Sequence, residues 1–235
     1  MLTVAGPKAR EVLKTLPGMI DLSTESFPHM SFASGQFEDG TQFRIQRVSF
    51  TGEQSYELSV PANRATEFFE SVWQAGEPHG IGLFGAESQM VLRLEKGFLH
   101  VGVDTDGMTN PFDVGFGGIV ARKQTDFIGK RSLLRADDQR QDRRQFVGVE
   151  PLDDNEKLLS GAHFVVPGDA GRRSQGVVTS ACFSPTLNRS IGLGLLEGGF
   201  ERKGEIVTVF DDGRTFEVRI TDPAFYDPTG ERMHA

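Results

Sequence analysis

The chain has 235 residues, 37% of them hydrophobic, enough for one large domain or two modest ones with cores of their own, and two is the expectation. A formal net charge of −8 without any long basic stripe argues against nucleic acid or an anionic membrane as the main partner and leaves a small molecule or another protein. One cysteine, Cys182, excludes an internal disulfide and a Cys-rich metal site. No apolar run approaches the roughly 18 residues needed to span a bilayer, and the start lacks a secretory leader, so the chain reads as cytoplasmic.

Leu2-Thr3-Val4-Ala5 predicts a short strand, followed by a turn at Gly6 and a helix opened by Pro7, with Ala9, Val12 and Leu13 on one side. A domain seldom begins on what reads as an interior strand, so its neighbours are expected from an upstream portion or another chain. Residues 30–37 and 41–50 alternate around Glu38-Asp39-Gly40, where Asp-Gly suits a tight hairpin, and residues 56–60 form the next strand. The stretch Arg47-Val48-Ser49-Phe50-Thr51-Gly52-Glu53-Gln54-Ser55-Tyr56-Glu57 places Glu57 at the start of that strand, not on a helix surface, in a position to be read by a ligand.

Pro61-Ala62-Asn63 opens a helix to about residue 75, with Ala65, Phe68, Phe69, Val72 and Trp73 on one face. A second helix over residues 86–95 turns Met90, Val91 and Leu94 inward and leaves Arg93 at the margin of that face, where a surface salt bridge is the ordinary outcome. Hairpins followed by helices predict an α+β domain over residues 1–121, with helices on one face of a mostly antiparallel sheet. Residues 122–144 carry eight Lys or Arg against four Asp or Glu and few bulky apolar side chains, and read as a solvated linker containing one short helix. Over residues 145–235, six short runs separated by Gly, Pro and Asp predict a small β-barrel or sandwich.

Several motifs invite chemistry without supporting it. Gly80-Ile81-Gly82-Leu83-Phe84-Gly85 matches a dinucleotide pattern, but a helix and Glu77-Pro78-His79 stand where a strand must precede it. The five histidines show no metal-binding spacing, and Cys182 has no nearby histidine. Asp104-Thr105-Asp106-Gly107 opens like a calcium loop, yet Gly115 replaces the closing glutamate, so a polar turn is expected. Lys130-Arg131 could meet an anion at a helix start, a weaker reading than a solvated surface.

Five separated blocks, in order, resemble the aminomethyltransferase (glycine cleavage T-protein) superfamily. They are Arg47-Val48-Ser49-Phe50, Thr51-Gly52-Glu53 with Tyr56-Glu57, Val91-Leu92-Arg93-Leu94-Glu95-Lys96-Gly97, Asp126-Phe127-Ile128-Gly129-Lys130, and Ser184-Pro185-Thr186-Leu187-Asn188-Arg189-Ser190-Ile191. Val101-Gly102-Val103-Asp104-Thr105-Asp106-Gly107 and the ending Thr221-Asp222-Pro223 with Phe225-Tyr226-Asp227-Pro228 are most similar to the C-terminal part of the α subunit of heterotetrameric sarcosine oxidase. The resemblance implies an incomplete ferredoxin-like domain followed by a C-terminal β-barrel, with tetrahydrofolate as cofactor. It further implies that Glu57 holds the pterin, that Phe50 and Tyr56 are ring neighbours, and that Arg93 lies near the folate.

At Gln89 the T-protein generally carries an arginine, so that contact is implied to be weaker here. The upstream lobe and the family's acid–base aspartate have no counterpart, which implies a weak or inactive catalyst alone. Flavin is implied only on a partner, a flavoprotein β-type subunit, whose oxidised N-methyl amine supplies the one-carbon unit captured as methylenetetrahydrofolate. The alternative is a non-catalytic assembly module that docks a flavoprotein without binding folate. The folate-binding protein of iron–sulfur cluster maintenance is disfavoured, because Lys96-Gly97-Phe98-Leu99-His100 lacks its cysteine.

Overall fold

A computed structural model describes residues 1–166, 168 and 173–235. The chain divides into two compact units, Met1–Arg93 with Asp227–Ala235, and Leu94–Tyr226.

The first unit is built on a four-stranded antiparallel sheet of order β1-β4-β3-β2, with β1 Leu2–Ala5, β2 Phe32–Gln36, β3 Gln42–Gln46 and β4 Ser55–Ser59. Alternation sends Val4, Phe43, Ile45, Tyr56 and Leu58 to one face, where they form a core with Val12 and Leu13 of α1 (Ala9–Leu13) and Phe68 and Val72 of α2 (Ala65–Gly76). Each fully buried side chain of this size contributes about 1.5–3 kcal/mol from removal of apolar surface. The α2 face is narrower than its sequence suggests: Phe68 and Val72 are buried, while Phe69 is 38% exposed. The strand expected over 41–50 ends at Gln46. Its ladder continues irregularly, the Arg47 N–H donating to Ser31 O and the Met30 N–H to Arg47 O, because Met30 adopts a left-handed conformation (φ 68°).

The second unit is a closed antiparallel barrel of order β10-β5-β8-β7-β6-β9. Its strands are β5 Arg144–Pro151, β6 His163–Val165, β7 Ser174–Ser184, β8 Arg189–Glu197, β9 Ile206–Asp211 and β10 Arg214–Thr221. Val149, Phe164, Val178, Leu196, Val209, Val218 and Ile220 fill it. Strand β8 is buried on both faces. Ile191, Leu193 and Leu195 pack outward against Leu94 and Phe146, whereas Gly194 faces inward, where a Cβ would stand 3.0 Å from the Phe164 ring. The α+β sheet with helices on one face, followed by a small barrel, is therefore the architecture.

The segment before the barrel holds α3 (Ala86–Glu95), which begins in the first unit, α4 (Gly117–Arg122) and short 3-10 turns at Ser132–Leu134 and Asp137–Gln139. Two burials here were not expected. Asp104 lies in the expected polar turn but is fully buried: it accepts from the hydroxyls of Thr179 and Ser180, both at 2.6 Å, and from the His100 N–H at 2.9 Å. The basic linker is likewise not simply solvated, since Arg143 is pinned to Asp113 by two hydrogen bonds of 2.9 and 2.8 Å, with side-chain exposures of 12% and 4%. In both cases the partner lies 30 to 76 residues away, so nothing local announces it. Among the described residues, no helix is long and apolar enough to cross a membrane.

Candidate functional site

Glu57 lies in β4 directly after Tyr56, and adjacent strand residues point to opposite faces. Tyr56 is wholly buried in the core, where its hydroxyl accepts from Arg10 Nε at 3.2 Å and its ring stacks near Phe27. Glu57 therefore faces away from that core, and the two residues cannot flank one ligand from the same side of the sheet. Across the sheet Glu57 pairs with Thr3 of β1 and Gln46 of β3, and Gln46 pairs with Phe32 of β2. A single row, Thr3–Glu57–Gln46–Phe32, thus crosses all four strands on the outward face.

This row is chemically uncommitted. Glu57, Thr3 and Gln46 are half-buried, and none of their side chains makes a hydrogen bond or ion pair among the described residues. Phe32, 71% exposed, supplies an aromatic face at one end. A half-buried carboxylate flanked by a carboxamide and a hydroxyl can accept two neighbouring N–H groups of a flat heterocycle while its neighbours satisfy further polar atoms. Sequence reasoning missed Thr3, Gln46 and Phe32, although the strand alternation and the pairing would have placed them beside Glu57 once the strand order was known.

The remaining expected residues are distributed around this face. Gln89 lies on α3 and lines a hollow of about 280 Å3 that runs along β1 and includes Thr3, Phe69, Trp73 and Phe84. Thr3 is thereby shared between the Glu57 row and the Gln89 hollow. Arg93, one helical turn after Gln89, is 3% exposed, so the expectation of a surface position is corrected. Phe50 is half-buried in the loop between β3 and β4, where Ser49 Oγ accepts from the Gly52 N–H at 2.9 Å and Gly52 takes φ 82°.

Two family-like blocks also meet within the second unit. Glu95, 2% exposed, accepts from Ser184 Oγ at 2.6 Å and Thr186 Oγ1 at 3.1 Å, and its main-chain oxygen accepts from the N–H groups of Phe225 and Tyr226. These residues hold the start of the segment to the barrel and give each carboxylate oxygen of Glu95 a hydroxyl donor.

A sheet with helices on one face and a following six-stranded barrel matches the fold of the aminomethyltransferase T of the glycine cleavage system from Bartonella henselae, with a TM-score of 0.74 at 22% identity over 95% of this chain and 58% of that one. The GCVT N-terminal domain matches residues 1–124 and the glycine cleavage T-protein C-terminal barrel domain residues 144–227. The chain belongs to the glycine cleavage T-protein family. It is 38% identical over 235 residues to sarcosine oxidase subunit alpha from Corynebacterium sp. (strain U-96), covering 98% of this chain and 24% of that relative. It is 30% identical to an aminomethyltransferase from Thermotoga neapolitana, covering 96% of this chain and 59% of that protein. The chain thus spans about a quarter of the length of the first relative and about six-tenths of the second.

Proposed function

We propose that the chain is the tetrahydrofolate-binding, one-carbon-transferring portion of a sarcosine oxidase α-type subunit working in the cytoplasm. The observation that carries this reading is Glu57, a half-buried carboxylate whose side chain has no hydrogen-bond or ion-pair partner among the described residues, in a row with Thr3 and Gln46 on the outward face of the sheet. Tetrahydrofolate, when bound, supplies two nitrogens that take up a one-carbon unit as methylenetetrahydrofolate. Glu57 would accept the adjacent N–H donors of the 2-amino-4-oxopterin, Gln46 and Thr3 would orient the ring edge, and Gln89 would offer a neutral hydrogen bond further along the β1 hollow. Arg93 would raise the local positive potential near the folate's acidic tail, and Phe50 would close the loop beside the ring. The flavin chemistry and the acid–base group that moves the folate proton are assigned to other parts of the assembly, including a flavoprotein β-type subunit.

Titration of tetrahydrofolate followed by Trp73 fluorescence and by calorimetry tests this reading. A charge-assisted pair lost in Glu57→Ala should cost about 2 kcal/mol, or roughly 30-fold in Kd, with Glu57→Gln intermediate. Equal binding by parent and Glu57→Ala would remove the assignment.

A second reading, docking of a flavoprotein without folate, is favoured by the exposed apolar side chains Val101 (77%), Met108 (71%), Ile128 (104%) and Leu134 (72%). Sedimentation with a flavin-bearing β-type subunit distinguishes it, because Ile128→Glu should then abolish association while folate never binds.

A further inference from the structure

Strand β2 ends the sheet of the first unit: it pairs with β3 on one side, and its other edge has no partner strand among the described residues. The direction of its main-chain groups follows from the ladder. The Arg47 N–H donates to Ser31 O at 2.9 Å and the Phe37 N–H to Thr41 O at 2.9 Å, so alternate residues from Ser31 to Phe37 turn their N–H and C=O toward β3. Those of Phe32, Ser34 and Gln36 therefore point away from the sheet, and these residues are exposed.

Sheet edges are ordinarily blunted by a charge, a proline or a bulge, because a bare edge recruits other strands. Phe32-Ala33-Ser34-Gly35-Gln36 has no charge and no proline, and its pairing with β3 keeps one register from Phe32–Gln46 to Gln36–Gln42. Left-handed Met30 (φ 68°) bounds the run on one side and the turn at Gly40 (φ 86°) on the other. The run is also self-complementary. With a second copy laid antiparallel about Ser34, Ser34 faces its own counterpart and Phe32 faces Gln36, so no like charges meet and the exposed Phe32 ring (71%) gains a neighbouring side chain. Each facing pair closes two main-chain hydrogen bonds, about six across the two-fold axis. We propose that the open edge of β2 is the docking surface for a second copy of this chain, through antiparallel β2–β2 pairing that joins two sheets into one. A second copy suits this edge better than a charged partner, because the edge offers main-chain groups and uncharged side chains, and Arg44 is the only charged residue of β3 paired with it. The pairing sets the partner's Gln36 beside Phe32, at the end of the row that holds Glu57, and requires no folate.

Sedimentation velocity on the full chain without folate, over a concentration series reaching the millimolar range, reads the association. The parent should show a dimer whose share rises with concentration and responds little to salt, since no ion pair holds it. Ser34→Pro removes the central N–H, which makes no bond to β3, and should weaken association about thirtyfold, because two hydrogen bonds across the axis are lost. Ser34→Lys sets two ammonium groups face to face and should weaken it about tenfold, whereas Ser34→Thr should match the parent. Urea midpoints check that each variant folds, and if Ser34→Pro does not, Ser34→Lys decides. A parent that stays monomeric throughout, or a dimer that either substitution, correctly folded, leaves as strong as the parent's, overturns the proposal.

Discussion

Asp113→Ala tests whether the segment preceding the barrel is structurally committed. Asp113 and Arg143 form a two-point ion pair in which Nε reaches Oδ1 at 2.9 Å and Nη2 reaches Oδ2 at 2.8 Å, and Asp113 Oδ2 also accepts from the Asn110 N–H at 2.9 Å. The Asp113 interaction holds the Arg143 guanidinium above its usual range, chiefly through the direct hydrogen bonds. Removing Asp113 leaves Arg143, at 12% side-chain exposure, with Asp137 Oδ2 at 2.8 Å, Asp137 O at 3.5 Å and Met108 O at 2.6 Å as acceptors. Asp137 is 57% exposed and compensates weakly. Breaking one side of a buried pair costs about 3 kcal/mol, which for a protein of this size lowers Tm by roughly 6–12 °C. Thermal and urea unfolding of Asp113→Ala, Arg143→Met and the double variant form a cycle, and the double should be less destabilised than the sum. A loss below about 0.5 kcal/mol for Asp113→Ala would refute the argument, since that is the range of an ordinary surface substitution.

Gly97→Ala should destabilise the second unit by about 2 kcal/mol or more, because Gly97 has φ 72° and an added Cβ would stand 2.3 Å from the main-chain oxygen of Pro223; urea unfolding measures it. Asp106 caps its own turn, Oδ1 accepting from the N–H groups of Met108 and Thr109 and from Thr109 Oγ1, and these bonds, the hydroxyl first, hold its carboxyl below the usual range. A depressed carboxylate stabilises above its unfolded pKa and loses that contribution as pH falls through the folded value. Asp106→Asn should therefore flatten the acid limb of stability below about pH 4, and parallel urea midpoints at pH 6 and pH 3 would show whether it does.

Much of the backbone plan was legible because it rests on short-range pattern. The six barrel strands follow from alternation broken by turn residues, and the hairpin at Asp39-Gly40 follows from its turn chemistry, with Gln36 paired to Gln42. Burial of charge was not legible. Arg93, Asp104 and Arg143 look like surface residues in any local window, and their burial depends on partners and layers supplied by distant parts of the chain. The site shows both limits together. Family likeness implied that Glu57 holds the pterin with Phe50 and Tyr56 as ring neighbours, whereas strand geometry assigns Tyr56 to the core and Glu57 to the opposite face.

The shielded carboxylates argue for Glu57 by contrast. Glu95 accepts from Ser184 and Thr186, Asp104 from Thr179, Ser180 and a main-chain N–H, and Asp113 from Arg143 and the Asn110 N–H. In each case the acceptor oxygens are used to join segments distant in sequence, so replacing the acid should primarily cost stability. Glu57 is less deeply shielded, and its side chain joins nothing among the described residues. Its removal should leave the urea midpoint within about 0.5 kcal/mol of the parent, the ordinary range for a side chain without structural partners. A large loss of stability in Glu57→Ala would mean that the carboxylate has a structural duty after all, and any accompanying loss of folate binding could then no longer be read as loss of a ligand contact.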